Sequence, residues 1–205
     1  MTSFDAAFTA CPLIAILRGV RPDEVVAIGE ELVAAGFTLI EVPMNSPDPL
    51  DSVARLVAAL EDRAMIGAGT VLTVDQVAAM HDAGGRMVIS PNTNSDVIRA
   101  SVAAGLVSLP GIATPSEALA ALDAGATALK LFPAEAASPA VLKAMRAILP
   151  SELRILPVGG IVPEGMAPWR QAGAAGFGLG SALYKPGMTA GEVGANARAF
   201  IAALA

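Results

Sequence analysis

The sequence predicts an α/β protein, a single (β/α)8 TIM barrel with a short N-terminal helix, occupying residues 1–205 as one domain. Three observations carry this reading. The dipeptide Ala-Gly recurs at Ala35-Gly36, Ala83-Gly84, Ala104-Gly105, Ala124-Gly125 and Ala172-Gly173, each time closing an Ala-rich segment. A glycine just past a helix end can turn the chain back in the left-handed conformation, so each pair marks a helix-to-strand turn. A short apolar run follows every one, without strict alternation, as strands buried on both faces of a parallel sheet do.

The five glycines stand 48, 21, 20 and 48 residues apart, so a unit of 20 to 24 residues repeats and one turn in each long gap lacks its glycine. Glu61-Asp62-Arg63 and Pro150-Ser151-Glu152 fill those two turns. Eight strands are then predicted, at 13–17, 38–42, 64–68, 87–90, 106–109, 128–132, 154–158 and 175–179. Helices fit between them at 23–35, 49–60, 74–83, 95–104, 115–124, 139–149, 163–172 and 191–203. Ser46-Pro47, Ser138-Pro139 and Val162-Pro163 supply start signals, since proline suits a first helical turn. Residues 1–10 lack a basic start and contain Asp5, so they read as a leading helix and not as a secretory signal. An open doubly wound sheet is the alternative. It fits poorly, because no G-x-G-x-x-G follows the first strand and eight strands exceed its usual six.

Composition excludes several classes of function. Hydrophobic residues make up 54% of the chain and charged ones 16%, enough for a large core, while Gly, Pro or a charge interrupts every apolar stretch. No run reaches the roughly 20 residues that cross a bilayer. A net charge of -6 has the wrong sign for nucleic acid or an anionic membrane. Cys11 is the only cysteine, which excludes an internal disulfide and a thiolate metal site and suits a cytoplasmic protein. His81 is the only histidine, and it reads as a helix-surface residue. No metal site is expected.

In such a barrel the chemistry sits at the C-terminal ends of the strands. Of three lysines, Lys143 reads as a helix-surface residue, Lys185 follows the last strand, and Lys130 is embedded in Ala-Leu-Lys-Leu-Phe-Pro. A lysine in a buried strand is either half of a buried ion pair or an amine whose pKa desolvation lowers, ready to form a Schiff base. Glu41 is the only acid inside a strand core, a candidate base beside such an imine or the partner of Lys130 or Arg18 in a salt bridge. Arg18, ending the first strand, is a bidentate carboxylate donor or a structural rim residue. Val158-Gly159-Gly160 and Gly178-Leu179-Gly180-Ser181 follow strands seven and eight, where barrels wrap phosphate with backbone amides. Thr70 and Pro91 lie in further small-residue loops after strands three and four. A buried amine, a carboxylate, an arginine and a distant phosphate cradle point to class I aldol chemistry on a phosphorylated keto compound. A metal-dependent aldolase would need a ligand cluster that one histidine cannot supply.

With these residues in view the chain resembles the 2-keto-3-deoxy-6-phosphosugar aldolases. The segments that carry the resemblance are Pro12-Leu-Ile-Ala-Ile-Leu-Arg-Gly19, Ile40-Glu41-Val42-Pro43, Ile66-Gly-Ala-Gly-Thr70, Ser90-Pro-Asn92, Ala128-Leu-Lys-Leu-Phe-Pro133, Pro157-Val-Gly-Gly160 and Gly178-Leu-Gly-Ser181. The resemblance implies that Lys130 forms the Schiff base with pyruvate and Glu41 is the general base. It implies a substrate site of Arg18, Thr70, Pro91, Phe132, Val158, Gly159, Gly160, Gly180 and Ser181, with no metal or other cofactor. It further implies a phosphosugar acid as substrate, pyruvate and glyceraldehyde 3-phosphate as products, and a homotrimer. Where the gluconate-type branch shows Glu-Val-Thr-Leu-Arg-Thr and Pro-Thr-Gly-Gly, this chain has Glu41-Val-Pro-Met-Asn-Ser46 and Pro157-Val158-Gly159-Gly160. Both departures resemble the branch that acts on the galacto epimer in galactonate catabolism. Loss of a hydroxyl at Val158 leaves tolerance of both C4 epimers open.

Overall fold

The structure is a computed structural model that describes residues 3–60 and 62–204; Glu61, assigned above to a turn lacking glycine, lies outside them, as do Met1, Thr2 and Ala205. Strands β1 (Leu13–Ile16), β2 (Leu39–Pro43), β3 (Met65–Gly69), β4 (Met87–Ile89), β5 (Val107–Leu109), β6 (Gly111–Ile112), β7 (Leu129–Leu131), β8 (Ile155–Pro157) and β9 (Phe177–Leu179) form a curled, wholly parallel sheet structure. Helices α1 (Phe4–Ala10), α2 (Val25–Ala35), α3 (Pro49–Leu60), α4 (Val74–Asp82), α5 (Ser95–Ala103), α6 (Pro115–Asp123), α7 (Pro139–Arg146), α8 (Met166–Gln171) and α9 (Ala190–Ala202) alternate with them. Each of the eight predicted runs overlaps a strand, β2 and β3 extend one residue beyond theirs, and β6 lies outside all of them. The helix expected at 163–172 is divided into a 3-10 turn, Pro163–Gly165, and α8.

The expected barrel is met in part, as a curled parallel sheet. The ladder is not an unbroken ring of eight regular strands but a six-stranded sheet, ordered β5-β4-β3-β2-β1-β9, and a three-stranded sheet, β6-β7-β8. Pro110 causes the break between β5 and β6, because it has no N–H to give to a ladder. Backbone bonds still cross the gap, from Thr127 N–H to the Ser108 carbonyl and from Lys130 N–H to the Pro110 carbonyl, each at 2.9 Å. On the other side, β8 and β9 are joined by a single bridge between Val158 and Gly178.

Side-chain alternation along these strands decides what faces inward. Ile40 and Val42 pack under the helices, whereas Leu39 belongs to an inner cluster with Ile14, Met65, Met87, Ile89, Leu109, Ala128 and Leu156. Glu41 is two residues beyond Leu39 and Lys130 two beyond Ala128, so both charges continue the inward-facing rows. The N-terminal end of that interior is closed by α1, whose Phe4 and Phe8, each 6% exposed, join the inner cluster. Fully burying a large apolar side chain contributes roughly 1.5–3 kcal/mol, which holds this 7-residue helix in place. Arg154 adds to the closure by lying over both rings, 5.4 and 4.8 Å from their centres, and by pairing with Asp5.

Of the three predicted start signals only Ser138 caps a helix with its side chain; Ser46 accepts from Gly19 N–H instead, and Val162 precedes a 3-10 turn without a side-chain cap bond. Thr114 and Thr189 form capping boxes with Glu117 and Glu192, and Ser138 accepts from Val141 N–H ahead of Pro139. Gly36 takes the predicted left-handed conformation, at φ 108°. Among the described residues no helix is long and apolar enough to cross a membrane.

Candidate active site

At the C-terminal ends of the strands, Lys130 on β7 is 5% exposed and Glu41 on β2 is 1% exposed. Burial pushes the Lys130 amine below the ordinary lysine range; Glu41 opposes that shift and Arg18 reinforces it. Burial pushes the Glu41 carboxyl up, against the pull of Lys130 and Arg18. The buried-ion-pair alternative would require direct contact. Instead, Glu41 Oε2 is buried without a hydrogen-bond partner, and Lys130 Nζ lies 4.8 Å above the centre of the Phe132 ring. A polar atom left unsatisfied in this way costs about 1–3 kcal/mol, so something other than folding accounts for its place.

Room for the Glu41 carboxyl comes from Gly69 on β3. A Cβ there would lie 2.5 Å from Glu41 Oε2 and 2.7 Å from its Cδ. Gly178 makes similar room on β9, where a Cβ would meet Val158 Cγ2 at 2.7 Å. These glycines keep the upper layer open while the layer below is filled with Leu, Ile and Met.

Arg18 is oriented by two loops. Its Nη1 donates to Asn45 Oδ1 at 2.6 Å, and both Nη atoms lie 3.5 Å from Thr70 Oγ1. Thr70 reaches this position with φ at 57°, a conformation that is uncommon for a residue with a side chain. Nearby, Gly19 N–H donates to the buried Ser46 hydroxyl at 2.9 Å, tying the β1 and β2 loops together.

A cavity of about 460 Å³ opens above Lys130. Arg18, Phe132, Val158, Gly159, Gly160, Gly180 and Ser181 line it, so seven of the predicted substrate-site residues share one wall with the lysine. A space of about 10 Å³ beneath is lined by Glu41 and shares Ile16, Lys130 and Val158 with the larger cavity. Thr70 does not line the cavity but reaches it through Arg18, and Pro91 is not on its wall. Gly159 and Gly160 have φ of 112° and 63°, which glycine alone adopts readily.

Glu135 and Tyr184 escaped the sequence reading, and Lys185 and Asn45 appear there without a site role. Glu135, Tyr184 and Lys185 line the cavity, and Asn45 holds Arg18. Glu135 stands in a 3-10 turn after β7 with its carboxylate against the glycine loop; a Cβ on Gly160 would lie 2.9 Å from Glu135 Cγ. Tyr184 donates to Glu24 Oε1 at 3.0 Å, and burial together with that carboxylate pushes its phenol up. Among the described residues no three His, Cys, Asp or Glu side chains are grouped to hold a metal ion. His81 is exposed on α4, as a helix-surface residue should be.

The family model for KDPG and KHG aldolase matches residues 4–196. The chain belongs to the KDPG and KHG aldolase family. A probable 2-dehydro-3-deoxy-6-phosphogalactonate aldolase of Rhizobium meliloti is 49% identical to this aldolase-family chain over 94% of its length and 91% of the relative's. The 2-dehydro-3-deoxy-6-phosphogalactonate aldolase of Escherichia coli is 47% identical over 95% of each chain. Among solved structures, native KDPGal superposes with a TM-score of 0.93 at 47% identity, covering 94% of both chains. A KDPG aldolase from Legionella pneumophila, solved with pyruvate captured as a covalent carbinolamine, superposes with a TM-score of 0.82 at 27% identity over 98% of both chains.

Proposed function

We propose that this aldolase is a class I enzyme that reversibly cleaves 2-dehydro-3-deoxy-6-phosphogalactonate to pyruvate and D-glyceraldehyde 3-phosphate in galactonate breakdown. One observation carries the mechanism: an amine whose pKa burial lowers sits at the floor of an open cavity, beside a buried carboxylate with an unpartnered oxygen. The neutral Lys130 amine adds to the C2 ketone, and the carbinolamine takes up a proton from solvent at its hydroxyl and loses water to give an iminium; hydrolysis at the end returns that proton. Glu41 takes the proton of the C4 hydroxyl, directly or through a water. The C3–C4 bond then breaks, its electron pair moves into the iminium as an enamine, and glyceraldehyde 3-phosphate leaves. Protonated Glu41 returns the proton to C3, and water hydrolyses the resulting imine to pyruvate and free Lys130.

Arg18, oriented by Asn45 and Thr70, receives the pyruvate carboxylate. Phe132 lies under the lysine, and the backbone around Gly159, Gly160, Gly180 and Ser181 receives the phosphate; Pro91, off the cavity wall, would meet substrate only from the loop after β4. Val158 offers the C4 region no hydroxyl, and that observation favours a second reading in which both C4 epimers are cleaved. The chemistry needs no metal or further cofactor. We infer further that β5 and β6 act as one strand of a complete (β/α)8 barrel over residues 1–205. The bonds across Pro110 and the Val158–Gly178 bridge support that closure. A homotrimer in the cytoplasm, without nucleic-acid or membrane partners, completes the reading; exposed Leu119, Val141 and Ile148 on α6, α7 and the loop after α7 are apolar surface suited to subunit contact.

Pyruvate release from the galacto and gluco epimers, measured side by side with Lys130→Ala, tests the function. Faster galacto cleavage that disappears in the variant is expected. Faster gluco cleavage would keep the mechanism and reverse the substrate assignment. No pyruvate from either epimer, with no borohydride-trapped adduct on Lys130, would leave only a phosphosugar-binding barrel.

A further inference from the structure

We propose that Lys185 is the specificity residue for the phosphomonoester end of the substrate, an assignment that rests on the aldolase reading above. Three cations line the cavity: Arg18, Lys130 and Lys185. Arg18 is engaged by Asn45 and Thr70 near the β2 end, and Lys130 is the buried amine on β7. Lys185 is exposed, makes no ion pair among the described residues, and shares the cavity wall with Gly180 and Ser181.

Its backbone is fixed on both sides. Tyr184, 2% exposed, is anchored by its hydrogen bond to Glu24, which also accepts Arg21 N–H at 3.1 Å. Pro186 lies so close to Gly19 that a Cβ there would meet Pro186 Cγ at 2.7 Å. Lys185 N–H itself donates to Met188 Sδ at 3.2 Å. The lysine stem therefore starts from a defined point on the wall, with only its flexible side chain left to reach a ligand.

Charge balance supplies the reason for a lysine there. The Glu135 carboxylate rests against Gly159 and Gly160, on the loop whose amides would receive a phosphate. A phosphate dianion brought to that loop meets a like charge, and amide dipoles alone must overcome it. Lys185, which lines the same cavity, offsets the charge of Glu135. The charge of Lys185 is assigned to uniform binding, holding the phosphate equally in the ground and transition states, so it acts on KM. Being exposed, it also acts in a salt-dependent way.

The test uses the full-length enzyme with Lys185→Met, Lys185→Arg and Glu135→Gln, the phosphorylated substrate and its dephosphorylated analogue. Lys185→Met should raise KM for the phosphorylated substrate about tenfold while kcat changes less than about twofold, the split expected when uniform binding is lost. Lys185→Arg should restore most of that loss, and high salt should erase the difference between wild type and Lys185→Met. Inorganic phosphate, used as a competitive inhibitor, should bind several times more weakly to Lys185→Met and more tightly to Glu135→Gln. Equal losses on the phosphorylated and dephosphorylated substrates, or unchanged phosphate inhibition in Lys185→Met, would overturn the proposal. Failure of the aldolase reading itself would appear in the wild-type enzyme, and calorimetric titration with inorganic phosphate would still decide the part played by Lys185.

Discussion

The two ends of the cavity are built by different parts of the chain. At the reacting end, Lys130 and Glu41 stand on strands, nearly inaccessible, with their pKa values moved by burial and by one another. At the distal end, Gly159, Gly160, Gly180, Ser181, Glu135 and Lys185 stand on loops and a 3-10 turn, and both charges there are exposed. The strand end fixes geometry and protonation state, which bond breaking needs to a fraction of an ångström. The loop end supplies backbone donors and movable charge, which suit capture of a solvated phosphate. Substitutions at the reacting end should therefore act on kcat, and those at the distal end on KM.

The largest effect belongs to Lys130. Lys130→Ala removes the amine, so pyruvate release should fall about 10⁴-fold or more, as removal of a covalent nucleophile generally does. Mass spectrometry after borohydride reduction with pyruvate should show no adduct. A retained adduct would mean that another amine carries the chemistry.

Glu41→Gln should come next, with kcat lower by about 10²–10⁴ as for a lost general base, while the pyruvate adduct on Lys130 still forms. Its pH dependence sharpens the comparison. The charge on Glu41 raises the Lys130 pKa, against the dominant lowering by burial. Removing that charge should let the amine lose its proton at lower pH, so the midpoint of adduct formation against pH should move down. An upward or absent shift would mean that the two groups do not interact across the site. In the wild-type enzyme, the acid limb that reports Glu41 should lie above the ordinary carboxylate range, because burial disfavours its charged form.

Gly69→Ala tests whether empty space is itself part of the reacting end. The added methyl carbon would lie within 2.8 Å of three carboxyl atoms of Glu41, so the carboxyl must swing away. A loss of about tenfold to a hundredfold in kcat is expected, the scale of a misplaced catalytic group. Thermal unfolding should change far less than kcat. Equal kcat in Gly69→Ala and wild type would mean that the position of Glu41 in the free enzyme is not the working one.

The same division explains what could be read from the sequence. Lys130 and Glu41 were visible because a charge inside an apolar strand has few explanations, and the C-terminal ends of barrel strands are where the chemistry gathers. The late glycines were visible because backbone amides need close approach. Pro110 stood in plain view between two strand-forming segments, yet the break it makes depends on which neighbour needs its missing N–H. Asn45 and Arg18 are 27 residues apart, and nothing local to either announces their hydrogen bond. In the sequence Lys185 is placed only as following the last strand and Glu135 gives no signal, since only the packing of Pro186 on Gly19 and of Glu135 on the glycine loop brings them to the cavity.

Val158 sits where the two ends meet, and the smallest effect should arise there. It lines both the open cavity and the small space that Glu41 shares, and its methyl groups rest near the site where Gly178 carries no side chain. Val158→Thr keeps the shape of the side chain and exchanges one methyl for a hydroxyl, which can hydrogen-bond a sugar hydroxyl in one configuration at C4 better than in the other. A group that pairs with a substrate hydroxyl discriminates more strongly than an apolar wall does, so the galacto to gluco ratio of kcat/KM should fall by about threefold to tenfold. The kcat on the galacto epimer should stay within about threefold of wild type, because neither Lys130 nor Glu41 moves. A large fall in kcat on both epimers would place Val158 with the strand end and its packing; an unchanged ratio would move the reading of C4 to the loops, with Glu135 as the next side chain to replace.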